Sequence, residues 1–215
     1  MPTFSRSAAG RGLAVAAVLL AAAQTSVAKE AVDGWALTRG DWERIDDGVA
    51  RCVFDIAEYE KYAKHGPIAM KNFEATDATL SATFTVTESD VEAKSPPRVV
   101  LTFDAEKGHA ARLWLFPEPP GKKGAKKGAQ SRAAVWVEGE KTPQPVMKNG
   151  SLPPLLIGEE MTVSMSTKGE TLVVEINGER FEAEHPAAAR GKRRAKLSFA
   201  FGDVTIRELD AGPNE

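Results

Sequence analysis

The 215-residue chain holds 28 basic and 30 acidic side chains for a formal charge of −2, which gives no general reason to expect nucleic-acid binding. Cys52 is its only cysteine, which excludes an intramolecular disulfide and any cysteine-rich metal site, so stability has to come from packing. The length suffices for one domain with a substantial core.

Residues 1–28 combine Arg6 and Arg11 with an apolar run from Leu13 to Ala23 and end in Ser26-Val27-Ala28. Small residues at the third and first positions before a cut after Ala28 are the pattern of a secretory signal peptide. The apolar run is far shorter than the roughly 20 residues needed to cross a bilayer. Export to the periplasm or the extracellular space is expected, with no membrane span after the leader is removed.

Beyond the leader, side-chain polarity with a period of two predicts strands. Residues 49–55 read as the first, with Cys52 aligned with Ala50 and Phe54 as a small buried apolar side chain. One short helical turn is predicted through Tyr59, Tyr62 and Ala63, ended by Gly66-Pro67. Extended segments follow at 68–73 and 78–86. In the second of these Ala78, Leu80, Ala82, Phe84 and Val86 alternate strictly with Thr79, Ser81, Thr83 and Thr85.

Segments 98–103 and 109–116 are separated by a loop of hairpin length, 104–108. The Pro-, Gly- and Lys-rich stretch 117–132 has no apolar periodicity and reads as a flexible surface loop. Residues 133–137 are apolar on both faces, which predicts a core strand with Trp136 inside. Met161, Val163 and Met165, then Leu172, Val174 and Ile176, then Asn177-Gly178 predict a three-stranded meander. The last segment carries Leu197, Phe199 and Phe201, then Val204 and Ile206, with a tight turn or bulge at Gly202-Asp203. About ten short strands without an internal repeat predict a single antiparallel sandwich or barrel domain over 29–215.

Gly34-Trp35, the run from Gly40 to Val49, Asn72-Phe73-Glu74, the hairpin Glu175 to Glu179 and the run Val204 to Leu209 together resemble the 3-keto-disaccharide hydrolase domain family. The resemblance implies a concanavalin A-like jelly-roll sandwich of two antiparallel sheets, a fold shared with glucanases and laminin G-type domains. In the middle, where that family places an Asn-Ser-Gly strand and then a Glu-containing strand, this chain has Arg98 to Phe103 and Gly108 to Trp114. Since a fold does not itself specify a function, the expected activity is recognition of a glycan or another extracellular polymer. A glycoside hydrolase acting on 3-keto-glycosides or other saccharides, and a structural envelope or adhesion domain, stay open as alternatives.

Hydrolysis of a glycoside by most routes needs two carboxylates roughly 5 to 10 Å apart. Glu88-Ser89-Asp90-Val91-Glu92 resembles the Glu-x-Asp-x-Glu spacing of some glucanases, but Ser89 replaces an aliphatic residue and the following Ser95-Pro96-Pro97 marks a solvated turn. No catalytic residue is assigned. The candidate ligand-binding residues are His109, Arg112 and Trp114, which offer a titratable imidazole, a donor for hydroxyls and an aromatic plane. The alternative places Trp114 in the core and Arg112 over a sheet edge.

Trp35 and Trp42 read as packing anchors beside the first strand. His65 and His185 sit in turns without partners at metal-ligand spacing, and Asp46-Asp47-Gly48 lacks a calcium-loop pattern. No metal and no cofactor is expected. The lysine-rich loop and a second basic patch, Arg190 to Lys196, read as solvated loops able to meet a polyanion through screened attraction.

Overall fold

The structure, a computed structural model, describes residues 29–30, 34–46, 49–62, 64–89, 95–118, 130–148 and 150–214. The expected leader, most of the lysine-rich loop, Asp90 and Glu92 lie outside the described residues. In chain order the strands are β1 (Lys29–Glu30), β2 (Ala36–Thr38), β3 (Asp41–Asp46), β4 (Val49–Val53), β5 (Ile68–Ala75), β6 (Ala78–Glu88), β7 (Arg98–Asp104), β8 (His109–Leu115), β9 (Arg132–Val135), β10 (Gln144–Met147), β11 (Glu160–Lys168), β12 (Thr171–Ile176), β13 (Glu179–Glu184), β14 (Lys192–Ala200) and β15 (Gly202–Pro213). A helix, α1 (Ile56–Lys61), follows β4, and a 3-10 turn over Pro186–Ala189 precedes β14.

These strands form an eight-stranded sheet, ordered β1-β2-β5-β14-β7-β8-β9-β10, and a seven-stranded sheet, ordered β13-β12-β11-β6-β15-β4-β3. The ladders that build the centres of both sheets are antiparallel. The predicted meander is β11-β12-β13. The sandwich expected from the two-residue period is the fold observed.

The core lies between the sheets and is supplied by the inward half of each alternating pattern. Leu80, Phe84 and Val86 of β6 and Met161, Val163 and Met165 of β11 meet Leu101 and Phe103 of β7, Leu113 and Leu115 of β8, and Leu197 and Phe199 of β14. Burial of each such large side chain stabilises by roughly 1.5–3 kcal/mol. Thr79 and Thr85 face away from the core; Thr83 is buried on that outer side instead, where its hydroxyl donates to Glu208 Oε2 at 3.1 Å. Along β15 the register shifts between Ile206 and Glu208, so the inward positions change from Val204 and Ile206 to Leu209 and Ala211.

Trp35 and Trp42 are packing anchors, 0% and 4% exposed. Helix α1 begins where Asp55 Oδ1 accepts from the Ala57 amide at 2.7 Å. Its buried Tyr59 joins Phe54 and Phe201 in a small satellite aromatic cluster. The helix therefore starts three residues before Tyr59, the first residue of the predicted turn, because the capping carboxylate sets the start.

Two readings of loops require correction. The run Arg190 to Lys196 is not a solvated loop: from Lys192 onward it is β14, a central strand paired with β5 and β7. Its Ala195, Leu197 and Phe199 face the core while Arg194, Lys196 and Ser198 face out. The loop predicted for 117–132 ends before Arg132, which opens β9. Ser131 is already 2% exposed, its hydroxyl donating to Phe116 O.

Candidate functional site

The hairpin β7–β8 and its neighbours β14 and β9 build the centre of the eight-stranded sheet's outer face. Arg98, Val100, Thr102 and Asp104 alternate outward along β7, opposite the core residues Val99, Leu101 and Phe103. Register then places Trp114 beside Val100 and Arg112 beside Thr102. From β14, Ser198 lies beside Val100 and Lys196 beside Thr102. From β9, Arg132 lies beside Trp114.

Strict alternation would send His109 to the face opposite Arg112, three residues away. A register shift between Phe103 and Asp104 pairs Asp104 with His109 while Phe103 still pairs with Ala111. Ala110 and Ala111 are consequently both buried, and His109 returns to the outer face. Such a bulge re-aims a side chain, and here it brings His109, Arg112 and Trp114 together.

Their polar connections form a chain. Lys196 Nζ donates to Asp104 Oδ2 at 2.6 Å, and His109 Nδ1 donates to Asp104 Oδ1 at 2.7 Å. Arg112 Nη2 lies 2.6 Å from His109 Nε2, so the imidazole with its proton on Nδ1 satisfies both neighbours at once. Arg112 Nε donates to Thr102 Oγ1 at 3.1 Å. Burial pushes the Asp104 carboxyl up, but the hydrogen bonds of His109 and Lys196 and the charge of Lys196 outweigh it and hold the group below its ordinary 3.8. Burial lowers the pKa of Arg112 and the charge of Arg98 adds to this, against the pull of Asp104.

The aromatic part of the face departs from the sequence reading. Trp114 is half-buried on the outer side, outside the main core cluster. Trp136 is buried as expected, at 9% exposed, but its neighbours are outer-face groups. Its ring lies 5.9 Å from Trp114 and 5.2 Å from His109. The Arg112 guanidinium stands 5.4 Å from both indole centroids, and Arg132 stands 4.9 Å from that of Trp114. Cation–π contact thus holds two guanidinium groups over Trp114, and the face presents N–H donors backed by rings more than bare aromatic surface.

Two depressions flank this cluster. One of about 190 Å³ is lined by Lys64, His65, Arg98, Arg112, Trp114 and Ser198 among others. The other, about 420 Å³, is lined by Asp104, Glu106, His109, Arg193 and Arg194. Sequence reasoning missed Asp104, assigned to a loop, and Lys196, assigned to a solvated patch. The Ala195-Leu197-Phe199 alternation is the signal that places Lys196 on a strand. His185 is used locally, its Nδ1 accepting from the Ala187 amide at 3.1 Å to cap the 3-10 turn.

No protein-family model matches the chain, and no curated protein matches it in sequence. Its fold is similar to that of the carbohydrate-binding module CBM66 from Bacillus subtilis, with a TM-score of 0.51 and 10% identity over 84% of this chain and 96% of that one. It is also similar to the Emp47p carbohydrate recognition domain, with a TM-score of 0.52 and 9% identity over 85% of this chain and 90% of that one. The alginate lyase from Klebsiella pneumoniae gives a TM-score of 0.53 and 14% identity over 82% of this chain and 85% of that one. The fold is a jelly-roll sandwich of two antiparallel sheets. At these identities the likeness is one of architecture, and the site has to be argued from its own residues.

Proposed function

We propose that this protein is an exported glycan-recognition domain that binds sugar on the outer face of its eight-stranded sheet. The observation that carries the reading is the convergence of His109, Arg112 and Trp114 on one outward patch, achieved by a bulge and held by Asp104 and Lys196. Directional donors beside aromatic rings suit hydroxylated ligands. Sandwiches of the same architecture in the carbohydrate-binding module and carbohydrate recognition domain support the same reading.

The test is a glycan panel on the purified protein and on Trp114→Ala and Arg112→Ala, with melting temperatures measured alongside. Binding by the wild type and at least a ten-fold loss in both folded variants is the expected result. A silent panel, or variants that bind as the wild type does, would remove the proposal. Export is tested separately, by finding Lys29 at the mature N-terminus.

One observation favours a second reading, a hydrolase of the kind that the 3-keto-disaccharide resemblance implies. Asp104 and Glu106 line the same depression. Asp104, kept ionised by Lys196 and His109, would then act as base or nucleophile, with Glu106 as proton donor. Turnover of 3-keto or unoxidised disaccharides that disappears in both Asp104→Asn and Glu106→Gln would establish this reading in place of simple binding.

A further inference from the structure

The depression at the Arg98 end of the outer face has a lopsided chemistry. Its charged lining consists of Lys64, Arg98 and Arg112, and among the described residues no carboxylate lines it. The floor is formed by short side chains, Val100 and Ser198, which are paired across β7 and β14. Arg98 precedes Val100 by two residues on β7, and Arg112 stands beside Thr102, so the two guanidinium groups flank that floor. The turn after α1 adds Lys64 and His65. Gly66 allows that turn to come down onto β14, since a Cβ there would lie 1.9 Å from Phe199 O.

We propose that this depression is a carboxylate subsite, which takes the acid group of a uronic-acid-containing glycan while the sugar ring lies beside Trp114. The inference rests on the glycan-recognition reading and names the ligand class for the same face. Both arginines are fixed by neutral groups. Arg98 donates to the Tyr59 hydroxyl at 3.0 Å and stands 5.5 Å from the Phe201 centroid. Arg112 is held by Thr102, His109 and the two indoles. The nearby acid, Asp104, is committed to Lys196 and His109. Both guanidinium groups line the same depression, and the charge of Arg98 works against that of Arg112.

The donor balance decides between an acidic and a neutral ligand. A sugar hydroxyl both donates and accepts, and a site for it needs acceptors as well. A carboxylate only accepts, and guanidinium and ammonium groups only donate. The planar guanidinium fork also matches a carboxylate in two-point geometry better than it matches a lone hydroxyl.

The test is calorimetric titration of the purified protein with oligosaccharides of galacturonate, of alginate and of glucuronate-containing hyaluronan, each beside its carboxyl-reduced counterpart, at 20 and 200 mM salt. At least one acidic oligosaccharide is expected to bind ten-fold or more tightly than its reduced form, with an affinity that falls as salt rises. Arg98→Gln and Arg112→Gln should each lose ten-fold or more, while Arg98→Lys, which keeps the charge, should retain part of the affinity; Arg207→Gln on the opposite sheet serves as the control. Equal binding of acidic and reduced forms would overturn the carboxylate subsite and leave glycan recognition standing. Tighter binding of sulfated sugars or of DNA would overturn it as well. Absence of all glycan binding would overturn both.

Discussion

Lys196 Nζ and Asp104 Oδ2 lie 2.6 Å apart on an outward sheet face, with the two side chains only 21% and 13% exposed. The pair is shielded enough to matter, and Asp104 is shared with His109 on its other oxygen. Replacing the carboxylate by an amide removes the charge and one of the two acceptor oxygens, so either the partly buried ammonium or the imidazole N–H loses its acceptor, which costs about 1–3 kcal/mol. Asp104→Asn should lower stability by that order. The sign with pH follows from the depressed folded pKa: the contribution is present above the unfolded value and drains away as pH falls through the folded one. The gap between wild type and Asp104→Asn in urea unfolding should therefore close below about pH 4. A gap that is constant from pH 7 to pH 3 would show that the carboxylate's charge is not what is lost.

Gly66 brings the turn after α1 against β14, and its added Cβ would meet Phe199 O at 1.9 Å and Phe199 C at 3.1 Å. Backbone cannot rotate aside as a side chain can. Gly66→Ala should cost at the upper end of the roughly 1–3 kcal/mol typical of overpacked sites, a fall in Tm of roughly 6–10 °C. Gly108→Ala is the comparison, because open space surrounds that position and only its positive φ of 73° is penalised. A smaller loss at Gly66 than at Gly108, measured by calorimetry, would mean that the turn does not rest on the β14 backbone.

The core was readable from sequence because inward positions recur every second residue, as in Leu80, Ala82, Phe84 and Val86. The same rule places Arg112 and Trp114 on one face. It fails for His109, since a bulge is one extra residue and nothing in Asp104 to Gly108 distinguishes a bulged hairpin from a plain five-residue loop. Two edge strands were hidden for a different reason. β3 reads Asp-Trp-Glu-Arg-Ile-Asp and β10 contains Pro145. Charges and proline guard an edge against further pairing, and they mask the strand pattern as they do so. β14 was missed at its basic start because Lys192, Arg193 and Arg194 obscure an alternation that becomes plain only from Ala195.

Cys52 is 1% exposed on β4. Burial foremost, with the negative charges of Asp41 and Asp203, pushes its thiol up to about 12. The thiolate is the reactive form, so the native protein should resist alkylation at pH 8 and modify readily in denaturant. Quantitative labelling of the folded protein within minutes, followed by mass spectrometry, would contradict a packed thiol and place Cys52 among accessible nucleophiles.

Lys192 is 1% exposed at the start of β14, where its ammonium donates to Ala188 O at 2.6 Å and to Thr76 O. These bonds tie the 3-10 turn to the β5–β6 connection, but burial pulls the pKa from 10.5 down to about 8, with Asp77 opposing. Between those two values the folded state binds fewer protons than the unfolded chain, so the group's contribution to stability rises with pH across that window and is at its least favourable below pH 8. The full change is on the order of 3 kcal/mol. Ionisation of Cys52 in the unfolded state acts in the opposite direction above pH 9, but it is common to wild type and to Lys192→Met. The difference in unfolding free energy between the two proteins should therefore shift in favour of the wild type from pH 8 to pH 10.5, even though Lys192→Met leaves two carbonyls without their donor at every pH. Parallel stability curves across that range would show that Lys192 keeps an ordinary pKa and that its ammonium is solvated.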